Sequence, residues 1–175
     1  MNDSRVFNVL VLCTGNSARS IIGEVLFNAL GQGRFKAYSA GSHPAGKVHP
    51  VALEMLQALH LSTEGLRSKN WDEFSQPGAP QMDFIITVCD RAAGEACPLW
   101  LGSPITAHWG FPDPAAVENP DQQRRAFQDV VHGMTNRIRQ FVSLPLVSLD
   151  ALAIKREMDR IGQQPIDTTD KNQPV

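Results

Sequence analysis

Cys13 and Arg19 stand at the two ends of the segment Cys13-Thr-Gly-Asn-Ser-Ala-Arg19, with five residues between them. A thiolate is a strong nucleophile, and a guanidinium is a planar fork that matches two oxygens of a tetrahedral anion. At this spacing the pair suits attack by sulfur on an oxyanion held inside a curled loop. Such a loop works when it joins the carboxyl end of a strand to the amino end of a helix. The first N–H groups of a helix lack partners within it, and its dipole is positive there. The backbone of Thr14, Gly15, Asn16, Ser17, Ala18, Arg19 and Ser20 would then line the anion site. Gly15 and Asn16 tolerate the left-handed backbone that such a curl demands. The same donors depress the pKa of Cys13, and the hydroxyls of Ser17 and Ser20 are suited to stabilise its thiolate. Cys-x5-Arg also arises by chance, with a core cysteine and a surface arginine, so the flanking elements decide the reading.

Those elements are the right ones. Val6 to Leu12 is a short apolar run of the kind found in a strand covered on both faces, and it ends at Cys13. After the loop, Ile21, Ile22, Val25, Leu26, Ala29 and Leu30 recur at helical spacing until Gly31 and Gly33 stop them. Residues 35–39 read as a second strand, and Pro50 opens a helix carrying Val51, Leu53, Met55, Leu56 and Leu59. Residues 83–88 form a third strand, which also ends on a cysteine, and residues 104–107 a weaker fourth. Asn119 caps a long helix with Pro120 at its first position and Phe127, Val130, Val131, Met134, Ile138, Phe141 and Val142 on one face. Ser148 is the expected cap of a last helix reaching about Ile161. The alternation of strand and helix predicts a three-layer α/β sandwich on a parallel sheet. Residues 1–162 are expected to be a single catalytic domain, and 163–175 a flexible polar tail with too little apolar surface to order itself.

Composition removes several function classes. A formal net charge of −2, with both signs interspersed, gives no basic field for nucleic acid. No apolar run approaches the length of a membrane span, so no membrane partner is expected. Three cysteines are too few and too odd for a disulfide framework, and the amino terminus lacks a signal-peptide pattern. A cytoplasmic protein is expected, in a compartment where paired cysteines are reactive rather than structural. His43, His49, His60, His108 and His132 are scattered without metal-ligand spacing, so neither a metal nor a tightly bound cofactor is expected. Nothing in the sequence fixes an oligomeric state.

The segment Val11-Leu-Cys-Thr-Gly-Asn-Ser-Ala-Arg-Ser20 resembles the signature of the low-molecular-weight protein tyrosine phosphatases and of the arsenate reductases built on the same scaffold. The likeness extends to Ser39-Ala-Gly-Ser42 and to Asp113-Pro114, and so spans roughly residues 6–144. It implies a four-stranded parallel sheet in the order 2-1-3-4 with helices on both faces. It also implies that Asp113, held between Pro112 and Pro114, is the general acid that protonates the leaving oxygen. By position in the motif, Glu24 and Ser39 stand behind the loop and hold Asn16, with Lys69 nearby.

Substrate choice within the resemblance turns on the other two cysteines. Reduction of arsenate to arsenite needs two electrons, which a thiolate adduct at Cys13 provides when a second thiol attacks its sulfur. In the order 2-1-3-4 the first and third strands are neighbours, so Cys89 emerges beside Cys13 and is the expected attacker. Cys97 is then expected to resolve the Cys13–Cys89 disulfide. A phosphatase needs neither, and where phosphatases typically carry tyrosine soon after Asp-Pro this chain has Ala115-Ala116-Val117. Trp109 and Phe111 remain available for an aromatic lip, with plain core packing as the other reading. Ala18 stands where many family members carry a further cysteine. The resemblance therefore implies arsenate as substrate, with phosphate or sulfate competing, and an external thiol reductant, either thioredoxin or glutathione with glutaredoxin. The alternatives are a phosphotyrosine phosphatase using Cys13, Arg19 and Asp113, and a non-catalytic oxyanion sensor, which would have no use for all three together.

Overall fold

Val9 to Leu12 are completely inaccessible to solvent, and this stretch becomes the central strand. The computed structural model describes residues 5–94 and 100–166. β1 (Phe7–Cys13), β2 (Phe35–Gly41), β3 (Phe84–Thr87) and β4 (Ile105–His108) form one sheet in the order β2-β1-β3-β4, all parallel. The expected topology is the observed one. β1 pairs with β2 through Cys13↔Gly41 and with β3 through Leu12↔Thr87, so the carboxyl ends of three strands finish together.

The period of two along β1 divides the core. Val9, Val11 and Cys13 face a large apolar layer with α1 (Arg19–Leu30) and α4 (Pro120–Val142), while Leu10 and Leu12 face a smaller one with Ala40, Trp71, Met82 and Ile85. Among the described residues, the second face is covered by the 3-10 turn Trp71–Phe74 together with Met82 and Trp100. α2 (Pro50–Ala58) packs against α4 and α1, and α5 (Ala151–Gly162) against β4 and α4. α3 is one short turn, Asp90–Ala93, capped by Cys89 itself, whose sulfur accepts the N–H of Ala92 at 3.4 Å.

The caps explain where helices start. Asn119 accepts from Gln122 N–H, with Pro120 at the first position as the sequence predicts. α5 differs: Asp150, not Ser148, accepts the N–H of Ala153 at 2.8 Å. Asp and Ser are about equally good caps, so composition could not choose between positions two residues apart. Residues 163–166 are not the start of a flexible tail as expected: Gln164 exchanges hydrogen bonds with Gln140, and Ile166 packs against the main core, an apolar anchor that the polar composition hid. Residues 167–175 lie outside the described residues.

An aromatic cluster fixes α4 on the sheet. The ring of Phe141 lies 5.0 Å from that of Phe84 and within 6.0 Å of those of Phe27, Phe35 and Trp109. Phe141→Ala should cost about 3–5 kcal/mol, because so many rigid neighbours cannot close the cavity. Urea unfolding measures this, and a loss under about 1 kcal/mol would show that the cluster does not anchor α4.

Candidate active site

The loop of residues 14–18 is curled by neighbours that take its carbonyl oxygens from outside. His43 N–H donates to Thr14 O, Ala45 N–H to Gly15 O, His49 N–H to Ser17 O and Ile22 N–H to Ala18 O, all at 2.8–2.9 Å. The Ser68 hydroxyl also donates to Gly15 O. With the carbonyls turned outward, the N–H groups are left for the concave side. α1 has no side-chain cap and no acidic residue in its first turn, so nothing within the helix competes with an incoming anion.

Asn16 is the keystone of the curl. It is fully buried and takes the left-handed backbone at φ 44°, whereas Gly15, also expected to do so, does not. Asn is among the few residues that tolerate this conformation. Its amide donates to Ser20 Oγ at 2.8 Å and Ser39 Oγ at 3.0 Å, and its Oδ1 accepts the N–H of Lys69 at 2.9 Å. Ser39 in turn donates to Glu24 at 2.8 Å, and Lys69 Nζ lies 3.7 Å from the same carboxylate. Burial pushes the Lys69 ammonium down from its ordinary pKa, with Glu24 opposing that shift. Gly41 allows the loop to sit this close, since a Cβ there would lie 2.3 Å from Thr14 O.

Cys13 lies on the floor of the loop, 4% exposed, with Sγ 3.1 Å from Ser20 Oγ and accepting the N–H of Asn16 at 3.2 Å. Cys89, 2% exposed, also reaches it. The two thiols lie close enough for each to be the largest influence on the other's pKa, and Thr14 Oγ1 lies 3.6 Å from Cys89 Sγ. Cys89 is pulled down to about 5 chiefly by the hydrogen bond from Cys13; burial opposes this, while Thr14 and the Ala92 N–H assist. Cys13 is pushed well above the ordinary thiol range by the same bond and by burial, with Ser20 working against both. This departs from the expectation of a free thiolate at Cys13. The second sulfur is the reason: two thiols in one buried site titrate as a pair that holds one proton between them once the first has left.

The Arg19 guanidinium and the loop that carries Asp113 meet across the opening. Arg19 Nη1 donates to Phe111 O at 2.9 Å, and Nη2 lies 3.9 Å from Asp113 Oδ2. Asp113 is half-exposed and accepts the N–H of Ala115 with its other oxygen, while Pro114 behind it is buried. The structure thus brings together Cys13, Arg19, Asp113 and Cys89. Cys97 lies outside the described residues. Trp109 and Phe111 are core residues, 0% and 5% exposed, and Trp109 donates its indole N–H to Met158 O. Tyr38 lies in β2 against Phe74. Among the described residues no three His, Cys, Asp or Glu side chains come together as a metal site, and no helix is long and apolar enough to cross a membrane.

With this geometry in place, comparison with known proteins is direct. Residues 8–158 match the model of the low molecular weight phosphotyrosine protein phosphatase family. The chain belongs to that family. Within it, the chain is 31% identical over 134 residues to an arsenate reductase of Halalkalibacterium halodurans, covering 76% of this chain and 93% of that one. The crystal structure of an arsenate reductase from Archaeoglobus fulgidus superimposes with a TM-score of 0.61 at 26% identity, over 78% of this chain and 99% of the other. A thioredoxin-dependent arsenate reductase of Corynebacterium glutamicum shares the fold with a TM-score of 0.60 at 24% identity, over 85% and 66%.

Several supporting residues were invisible to sequence reasoning. His49 caps α2 by accepting Val51 N–H while its own N–H holds Ser17 O, and His108 lies 2.7 Å from Asp90 and 2.8 Å from Thr87, tying down the turn that carries Cys89. Backbone donors and single cross-strand contacts leave no periodic signal. The shared proton yields a direct expectation. Cys13→Ala removes the donor to Cys89, so the Cys89 pKa should rise from about 5 toward the ordinary thiol value of about 8.5. Alkylation of Cys89 against pH, followed by mass spectrometry, measures the shift, and an unchanged profile in Cys13→Ala would refute the coupling.

Proposed function

We propose that this chain reduces arsenate to arsenite through Cys13 and Cys89. The observation that carries the reading is the second buried thiol, Cys89, brought beside the loop by the pairing of β1 with β3 and lying 3.6 Å from Thr14 Oγ1. A phosphatase of the same family has no use for it. The affinity to curated relatives named arsenate reductases points the same way. The aromatic lip that a phosphotyrosine ring would want gains no support, because Trp109 and Phe111 are committed to the core.

The steps follow from the site. Arsenate seats on the loop N–H groups and the Arg19 fork, where phosphate and sulfate would compete. Cys13 passes its proton to the Cys89 thiolate and attacks arsenic, and Asp113 protonates the departing oxygen, which leaves as water. Cys89 gives up its proton and attacks Cys13 Sγ. The arsenic–sulfur bond breaks with its electron pair going to arsenic, so arsenite departs and a Cys13–Cys89 disulfide remains. The two sulfurs lose two electrons, one proton comes from the cysteine pair and one from Asp113, and arsenate plus two protons and two electrons becomes arsenite plus water.

Cys97 is proposed as the resolving thiol. A helix continued to Cys97 would hold the two Cα atoms about 12 Å apart, beyond the roughly 7 Å that a disulfide spans. α3 ends at Ala93, well short of that. The final disulfide calls for a thiol reductant, for which a thioredoxin-type dithiol is the proposed partner, and we place the reaction in the cytoplasm, whose reducing poise keeps such thiols free.

Arsenate-dependent NADPH oxidation with thioredoxin and its reductase tests this, beside hydrolysis of an aryl phosphate. Wild type should reduce arsenate, and both Cys13→Ser and Cys89→Ser should lose that activity by at least about a hundredfold. Any aryl phosphate hydrolysis should depend on Cys13 and survive Cys89→Ser. Arsenate reduction undiminished in Cys89→Ser, or fast aryl phosphate turnover without arsenate reduction, would overturn the proposal. A glutaredoxin arm identifies the donor.

A further inference from the structure

Arg137 is the anomaly of α4. It lies on the apolar face with Met134, Ile138 and Phe141, and only 5% of it is exposed. Buried arginines are rare unless their donors are used. Here Nη1 donates to Gly110 O at 3.0 Å, and Nη2 donates to Gly162 O at 3.2 Å and Gln164 O at 2.9 Å. The guanidinium also lies over the Phe111 ring, 4.6 Å from its centroid. Gly162 is the last residue of α5, so the charge sits at the negative end of that helix.

These contacts join two segments that the chain otherwise keeps apart. One is the end of α5 with the strap of residues 162–166, which runs beyond the family match ending at residue 158. The other is the loop of residues 109–113 that carries Asp113. They are pressed together along their length. Trp109 donates to Met158 O, a Cβ on Gly162 would lie 2.4 Å from His108 O, and Ile166 and Phe111 line one small cavity with Asp113. On its other side the same loop offers Phe111 O to Arg19.

We infer that Arg137 is a positioning residue through which the strap of residues 162–166 sets the anion site, fixing Gly110 and Phe111 so that the Phe111 carbonyl aims the Arg19 fork. A guanidinium can do this because its planar fork reaches three carbonyls while its face lies over a ring. The inference rests on the proposed role of Arg19 as an anion ligand, and it adds a residue 23 positions along the chain from Pro114, coupled to the acid loop through the fold and not through any local motif.

Binding of inorganic phosphate to the full chain by calorimetry tests it without requiring turnover. Arg137→Met should weaken phosphate binding about tenfold. Arg19→Lys should weaken it as well, and the double variant should bind no worse than Arg19→Lys alone, since Arg137 acts through Arg19. Equal affinity of Arg137→Met and wild type, or fully additive losses in the double variant, would overturn the inference. If Arg137→Met does not fold, Arg137→Lys carries the same comparison, keeping the charge and stem without the fork. Wild type that binds phosphate but does not reduce arsenate would defeat the proposed function and leave this coupling standing. Wild type that binds no phosphate would defeat both.

Discussion

The site depends on a backbone constraint: the carbonyls of Thr14, Gly15, Ser17 and Ala18 are all taken by donors from outside the loop. Peptide planes have two polar ends, and fixing one end outward aims the other inward. Everything else protects that arrangement. Asn16 accepts the strained left-handed position and ties it to Ser20, Ser39 and Lys69, and Gly41 leaves room for the close approach of β2. A preorganised nest of this kind needs little rearrangement when an anion arrives, and this is where an enzyme gains most from fixed dipoles.

The second governing interaction is the shared proton of Cys13 and Cys89. Parallel pairing of β1 with β3 brings the two strand ends together, so sheet topology produces the proposed redox pair. A lone cysteine in the nest would be a nucleophile that forms an adduct and waits for water. A buried partner makes it half of a two-electron couple.

Much of this was legible in the sequence. The apolar run ending at Cys13, the helical spacing after Arg19 and the Asn119-Pro120 start of α4 are local signals set by burial and by backbone donors, and they read correctly. The strand order came from the family resemblance, not from periodicity. What could not be read depends on contacts between distant segments. The pKa order of the two cysteines follows from their meeting in space, and the burial of Trp109 and Phe111 from α5 closing over them. The burial of Arg137 has no sequence signal either, because nothing in its neighbourhood announces that residues 162–166 fold back onto it.

The relay is most directly tested by a single turnover of Cys97→Ser with arsenate and no reductant, followed by peptide mapping of the quenched protein. The account predicts one arsenite released per chain and a disulfide joining the peptides of Cys13 and Cys89. Arsenite release that leaves both of these thiols free would contradict it.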